Sequence, residues 1–246
     1  MNKYFYILLL LITASCGISE DCFKGNGNKV TQTYNVGEFK KVKVYSGVGL
    51  VVKEGINYEV RIETSDNILD EIEVSLQGDM LVVKDKSTCN IARDYGLTTV
   101  YVTAPNLEEI HSKTEQDIRS DGVLQYGLLR LFAMGDDGDG DATGNYYINL
   151  ASSGQFVIES NTVTNFFIDG HCEEMLLNFY FGDGKFKGEN LEVETMKIYH
   201  RGSNDMIVKP IQRIEGQLLS TGNVILKNNP PEVNVEELFS GRLIYF

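Results

Sequence analysis

The sequence predicts an all-β protein in which an N-terminal β meander packs on a repetitive, β-helical part. Short segments that are apolar, or that alternate between apolar and polar residues, follow one another along the chain and have the length of strands. Turns rich in small residues separate these segments, and beyond Pro105 the turns recur at a nearly constant spacing. Only residues 67–71 fit a helical turn. The same pattern leaves one alternative, a large antiparallel β-sandwich.

Residues 1–15 predict a secretory signal peptide. One basic residue, Lys3, precedes an apolar run from Tyr4 to Ile12, and small residues follow this run. The apolar run is about half of the ~20 residues that a transmembrane helix needs, so we expect cleavage rather than a permanent membrane span.

Cys16 directly follows the small residues, as the lipidated cysteine of a bacterial lipoprotein does. Thr13 stands where Leu or Val is usual, and an ordinary signal peptide with a chance cysteine is the alternative. Residues 16–29 are polar and Gly-rich, which predicts a lipid-anchored, flexible tether. We therefore expect export and anchoring in the outer membrane, and the sequence leaves open whether the protein faces the periplasm or the cell surface.

Residues 30–104 have the pattern of the β meander. The segment from Tyr58 to Thr64 alternates strictly between apolar and polar residues, as a half-buried strand does. Pro105 ends the last segment, because proline cannot donate a hydrogen bond to a strand ladder. The predicted strands are residues 42–45, 49–53, 58–64, 72–74, 80–84 and 98–103.

Residues 105–246 repeat a unit of strand, turn and strand. Glycines mark its turns at positions 135, 154, 184, 202, 222 and 241. Their spacing is nearly constant, apart from one longer gap between Gly154 and Gly184. A spacing of about 20 residues is typical of solenoids, in which each unit buries its apolar face on its neighbours.

The segment from Phe39 to Val52 resembles the start of the putative auto-transporter adhesin, head GIN domain family. The Val-Thr-Ala-Pro-Asn-Leu step at residues 102–107 and the later Ser-Gly and Gly-Asp turns are similar to that family too. The similarity covers residues 30–246. It implies a right-handed parallel β-helix in exported, often lipid-anchored proteins, and an adhesin-like role with no catalytic residues.

The chain is acidic, with a formal net charge of −13. It contains no basic patch with interleaved aromatic residues, so we expect no binding of nucleic acid. Such a surface suits divalent cations or basic partners, although solubility alone also accounts for it. Hydrophobic residues make up 42% of the chain, which is ample for a folded core.

The chain has four cysteines, and lipid on Cys16 would leave three. We predict a disulfide between Cys22 and Cys89, because both lie in turn-rich segments and an exported protein can keep a disulfide. Cys172 would then be a thiol of the core. The absence of a Cys-x-x-Cys pair argues against thiol-redox chemistry and a zinc knuckle.

An aspartate-rich turn is the most chemically suggestive segment. Its four carboxylates belong to Asp136, Asp137, Asp139 and Asp141. Carboxylates on a flexible turn are ligands that calcium prefers, so the segment is a candidate calcium site. The spacing departs from an EF-hand loop, with Ala142 in place of Gly and Ile148 in place of Glu. A solvated turn is the alternative.

These features predict a non-enzymatic lipoprotein of the cell envelope, acting as an adhesin-like binding module or a scaffold. We expect its partners to be the membrane, through the lipid anchor, and a glycan or protein ligand at the surface. The alternative is a carbohydrate-active β-helix enzyme that acts on polysaccharide. The acidic charge and the lack of tryptophan count against that alternative, and neither a Gly-x-Ser-x-Gly elbow nor a metal-ligand spacing among the three histidines supports catalysis.

Overall fold

A computed structural model of the protein describes residues 20–87, 91–135 and 138–245. In these ranges the chain forms two 3-10 helices, Glu20–Phe23 and Leu69–Glu71, and 17 strands. The strands are β1 (Lys29–Tyr34), β2 (Lys41–Tyr45), β3 (Val48–Glu54), β4 (Glu59–Ser65), β5 (Ile72–Gln77), β6 (Met80–Asp85), β7 (Thr98–Ala104), β8 (Glu109–Lys113), β9 (Ile118–Leu124), β10 (Leu128–Ala133), β11 (Tyr146–Ser160), β12 (Phe166–Phe179), β13 (Phe186–His200), β14 (Met206–Leu218), β15 (Val224–Leu226), β16 (Glu232–Glu237) and β17 (Leu243–Tyr245).

Alternating sequences form these strands, as the pattern predicts. In β7 the side chains of Val100, Val102 and Ala104 are buried, and the residues between them are half-buried. All six strands predicted between residues 42 and 103 are confirmed, with bounds that move by at most three residues. The predicted helical turn is the second 3-10 helix.

The strands belong to one continuous sheet that runs in two rows. The first row is β1, β4, β7, β3, β9, β11, β12, β13, β14, β15 and β17. The second row is β5, β6, β2, β8, β10, β11, β12, β13, β14 and β16. Because the long strands β11 to β14 belong to both rows, the sheet nearly closes around a single core.

The predicted right-handed parallel β-helix is wrong, because the sheet is mixed. Strand β4 pairs antiparallel with β1 and β7, and β5 pairs antiparallel with β6. The alternative β-sandwich is not found either, since it consists of two packed sheets and these strands belong to one. The N-terminal meander is wrong too, because β2 pairs with β6 and β8 rather than with the next strand. An alternating pattern fixes the buried face of a strand, and it leaves the neighbour of that strand undetermined.

The predicted repeat is present in the strand register. One position recurs on successive neighbours, at Tyr146, Phe166, Phe186, Met206, Val224 and Leu243. All but the last are fully buried, and the rings of Tyr146 and Phe166 stack with centroids 5.1 Å apart. Each large buried side chain contributes roughly 1.5–3 kcal/mol relative to an exposed one.

The longer gap between Gly154 and Gly184 has its own cause: the turn predicted at Gly154 is wrong, because this residue lies inside the long strand β11. Gly170 likewise lies inside the neighbouring long strand β12. Its φ is +117°, and a Cβ there would lie 1.9 Å from the carbonyl oxygen of Leu150. Only glycine fits this backbone, which carries β12 from one row of the sheet to the other.

A ladder of polar side chains borders the first row. The Asn145 amide donates to Asp117 Oδ1 (3.2 Å), and the Asn165 amide donates to Asn145 Oδ1 (2.9 Å). Asn223 in turn donates to Asp205 Oδ1 (3.0 Å). These bonds satisfy groups at the turns between the rows, each worth about 1 kcal/mol.

Among the residues that the structure describes, no helix is both long and apolar enough to cross a membrane.

Candidate functional site

The outward side of the second row carries two adjoining grooves between β8 and β16, which we call the groove face. The first groove has a volume of about 360 Å³ and the second about 370 Å³. Asn178 lines both, so the grooves meet at β12. Together they cross the strands rather than run along them.

Strand register places the groove side chains in lines across the sheet. Outward positions alternate with buried ones along each strand, and neighbouring strands lie about 4.8 Å apart. One such line consists of Phe132, Glu159, Asn178, Tyr199, Gln217 and Glu236. A ligand lying along this line would meet one side chain from each strand in turn.

A cluster of paired charges occupies the first groove. The Arg130 guanidinium contacts Glu109 (3.3 Å) and makes a closer ion pair with Glu159. His111 Nε2 contacts the other oxygen of Glu109, and its ring stacks on Phe132 with centroids 4.2 Å apart. The hydrogen bond from His111 lowers the pKa of Glu109, and burial only partly opposes it. Glu109 is therefore held ionised, and both Glu109 and Glu159 are paired with Arg130.

The second groove combines weaker pairs with neutral polar groups. Lys197 lies 3.9 Å from Glu215, and the Gln217 amide donates to Glu236 (2.9 Å). Tyr199 lines the groove beside Tyr180, with ring centroids 5.8 Å apart.

Three neutral side chains of the groove face have no side-chain hydrogen bond to another described residue. They are Asn178, Tyr199 and Asn234. An amide offers two donors and one acceptor, and a phenol offers one donor and an acceptor. These groups can bind hydroxyl groups of a ligand without breaking an internal hydrogen bond.

The arrangement suits binding better than acid catalysis. A glycosidase needs one carboxylic acid with a raised pKa beside a second carboxylate. Glu109 and Glu159 instead share one guanidinium, and the pKa of Glu109 is lowered.

Of the residues predicted from the sequence, Cys16 and Cys89 lie outside the described residues. Cys22 is buried and disulfide-bonded. The amide of Ile91 donates to the Cys22 carbonyl (3.2 Å), so the two turn-rich segments lie side by side. The Cys22–Cys89 pairing stays a prediction, and Cys172 is a free, buried thiol whose pKa burial raises to about 12.

The aspartate-rich turn is described only in part, since Asp136 and Asp137 lie outside the described residues. Asp139 forms an ion pair with Lys43 and accepts a hydrogen bond from the Tyr45 hydroxyl (2.8 Å). Asp141 is exposed. Calcium binding at the four aspartates stays a prediction.

Two backbone carbonyl groups at that turn bind a charged lysine side chain of the same protein. The buried Lys113 ammonium donates to the carbonyl oxygens of Met134 (2.7 Å) and Gly140 (2.9 Å). Among the described residues, no group of three or more His, Cys, Asp or Glu side chains is placed to hold a metal ion.

Sequence reasoning missed the groove residues. The signal is present, because Asn178, Tyr199, Gln217 and Glu236 follow one another at nearly the spacing of the glycine turns. The buried apolar residues repeat at the same interval and are far more numerous. The repeat of these polar residues is therefore not recognisable in the sequence.

The family described as "Putative auto-transporter adhesin, head GIN domain" matches residues 38–230. No protein of curated function matches this sequence.

Three crystal structures of similar fold come from bacteria of the genera Bacteroides and Parabacteroides. A putative adhesin from Bacteroides fragilis NCTC 9343 is 20% identical, with a TM-score of 0.79 over 89% of this chain and 97% of its own. A putative lipid binding protein from Parabacteroides distasonis ATCC 8503 is 14% identical, with a TM-score of 0.63 over 89% and 98%. A putative adhesin from Parabacteroides merdae ATCC 43184 is 14% identical, with a TM-score of 0.58 over 90% and 98%. At these identities the likeness shows the fold alone.

Proposed function

Because this chain belongs to the putative auto-transporter adhesin, head GIN domain family, we propose that it is an exported, non-enzymatic binding protein whose groove face holds a neutral glycan chain. One observation carries the proposal. On the groove face the carboxylates of the first groove are paired internally, while Asn178, Tyr199 and Asn234 are left for a ligand.

The shape of the site favours a chain-like ligand. The two grooves adjoin at Asn178 and continue across the strands from β8 to β16, which is six steps of about 4.8 Å, or roughly 29 Å. One outward side chain recurs at each step, so a polymer with regularly spaced hydroxyl groups would meet a polar or aromatic side chain at each interval. The Tyr199 ring adds an apolar surface on which a sugar ring can pack.

The charge of the site favours a neutral ligand. Lys41, Arg130 and Lys197 are the basic side chains that line the two grooves, against five glutamates. An acidic polysaccharide would meet this excess of carboxylates. A basic peptide would have to displace Arg130 from Glu109 and Glu159, which costs the existing ion pairs.

Lipid attachment at Cys16 would place this face beside a membrane. The sequence pattern of residues 1–16 supports the proposal, as does membership of a family of adhesin type. In this arrangement the residues between Cys16 and the 3-10 helix Glu20–Phe23 tether the body to the outer membrane, with the body at the cell surface, where an adhesin meets its ligand. Residues 24–28 belong to the body, because Asn26 and Asn28 are hydrogen-bonded to Asp94 and Asp66.

The test is binding of the purified full-length chain to an array of neutral and uronate-containing polysaccharides. We expect neutral polysaccharides to be bound, and the Asn178→Ala and Tyr199→Ala variants to bind at least about tenfold more weakly, which is a loss of about 1.4 kcal/mol each.

Two matched variants control for non-specific effects. Asn149→Ala and Tyr147→Ala change an exposed amide and a half-buried ring on the outward side of the first row, and binding should be unchanged. Binding confined to acidic polysaccharides or basic peptides, equal losses in the control variants, or release of reducing sugar ends would each contradict the proposal.

A further inference from the structure

Strand β1 is an exposed edge of the sheet. Among the described residues it pairs only with β4, so its other side presents unpaired backbone N–H and C=O groups. Four of its six residues are exposed. An open edge of this kind is a template for another strand, and natural proteins usually protect it.

The other outer strands carry protection that β1 lacks. Strand β16 has three glutamates among its six residues, and β17 has only three residues. In β5 only two of the six residues are exposed, and Glu73 makes an ion pair with Lys86. The only charge in β1 belongs to Lys29, at its first position, and that charge is paired with Glu63 (2.5 Å).

The sequence of β1 is complementary to itself. Two copies of β1, antiparallel and related by a two-fold axis at Gln32, would place Thr31 opposite Thr33 and Val30 opposite Tyr34. Pairs of threonines, and pairs of an aromatic with a β-branched residue, are among the favourable cross-strand pairs. No like charges meet in this register.

In this register the inner side of the sheet in one copy would also continue as the inner side in the other copy. Val30 and Tyr34 lie opposite the buried Thr64 and Val60 of β4, so both are on the inner side of the strand, where they are half-buried. A two-fold axis perpendicular to the sheet keeps inner side chains with inner ones. The paired strands would therefore extend the sheet of one copy into the other.

We propose that β1 is a homodimer interface, in which a second copy of this chain adds its own β1 antiparallel to the first, centred on Gln32. This proposal is independent of the ligand on the groove face. The dimer would carry two groove faces and two N-terminal tethers.

The first test measures the mass of the full-length chain in detergent by sedimentation equilibrium. We expect twice the mass of one chain. The Gln32→Lys variant places two ammonium groups face to face at the two-fold axis and should have the mass of one chain. Its circular dichroism spectrum should be that of the wild type, because Gln32 is exposed and the substitution leaves the fold of each chain intact. A wild-type chain with the mass of one copy would overturn the proposal, as would a dimer that persists in Gln32→Lys.

The second test traps the interface in membranes. A cysteine at the two-fold axis faces its own copy, so Gln32→Cys should form an intermolecular disulfide under mild oxidation. Asn234→Cys is the matched control, because Asn234 is exposed near the centre of the six-residue edge strand β16, whose glutamates would repel a second copy. Equal cross-linking of the two variants would show random encounter and overturn the proposal.

Discussion

At the scale of single residues, several side chains act through residues that are distant in the sequence. The Lys113 ammonium closes a turn by binding the carbonyl oxygens of Met134 and Gly140. The places of Asn178 and Tyr199 in the groove depend on strands that are neighbours in space, so the sequence does not predict them. The turn-rich context of Cys22 does predict a disulfide, and Cys22 is disulfide-bonded.

His200 gives the protein a pH-dependent stability. Its ring is fully buried beside Phe179, with centroids 6.1 Å apart, and burial lowers its pKa below the usual 6.5, although Asp205 opposes the shift. The unfolded chain therefore binds a proton more readily than the folded one. Stability is at its full value above about pH 6.5 and falls as the pH decreases toward the pKa of the folded state.

We expect the free energy of unfolding of His200→Leu to fall less than that of the wild type between pH 7.5 and pH 5, as measured by urea denaturation. Comparing the slopes with pH removes any constant effect of the substitution. His171→Leu is the control, because His171 is half-exposed. Equal slopes in wild type and His200→Leu would contradict this account.

At the scale of elements, local pattern predicts the strands well and their partners poorly. The alternation in residues 58–64 and 98–103 fixes a buried face, and both segments are strands. Nothing in that alternation indicates that β4 pairs antiparallel with both β1 and β7. The choice depends on long-range packing, which is why the pattern does not predict the mixed sheet. The turn predicted at Gly154 is wrong for a related reason, since glycine serves equally in a turn and within a strand.

Gly170 should be intolerant of substitution. The Gly170→Ala change combines a left-handed φ with a clash against the Leu150 carbonyl oxygen, so we expect a loss of roughly 2–4 kcal/mol in the free energy of unfolding. Gly127→Ala is the matched control, because a Cβ there meets nothing within 4 Å. Chemical denaturation measures both, and a Gly170→Ala variant as stable as Gly127→Ala would refute the clash.

At the scale of the whole molecule, the repeat predicted in the C-terminal half is present, whereas the β-helix predicted from it is wrong. The repeat recurs in the register from β11 to β17, where Tyr146 begins a continuous line of side chains. The N-terminal strands obey no such interval, and they join the same sheet through parallel pairs of β2 and β3 and through antiparallel pairs of β4 and β5. A periodicity confined to half of a chain therefore cannot specify the architecture of all of it.

Attachment of the whole molecule to a membrane should depend on one sulfur atom. We expect the Cys16→Ser variant of the full chain to leave the membrane fraction for the soluble fraction, because serine cannot carry the lipid. Cys172→Ser is the control and should stay with the membrane, since that thiol is buried in the core. Fractionation followed by immunoblotting decides the matter. Retention of Cys16→Ser in the membrane would exclude a lipid anchor at this residue.

The order of strands in the first row also has a mechanical meaning. Ten steps of about 4.8 Å separate β1 from β17, so the row measures roughly 48 Å across its strands. A pull between a tether near β1 and a ligand held at β13 or β14 would act across the strands. The disulfide of Cys22, which precedes β1 in the chain, would pass part of this load through a covalent bond, so the hydrogen bonds between β1 and β4 would not carry it alone.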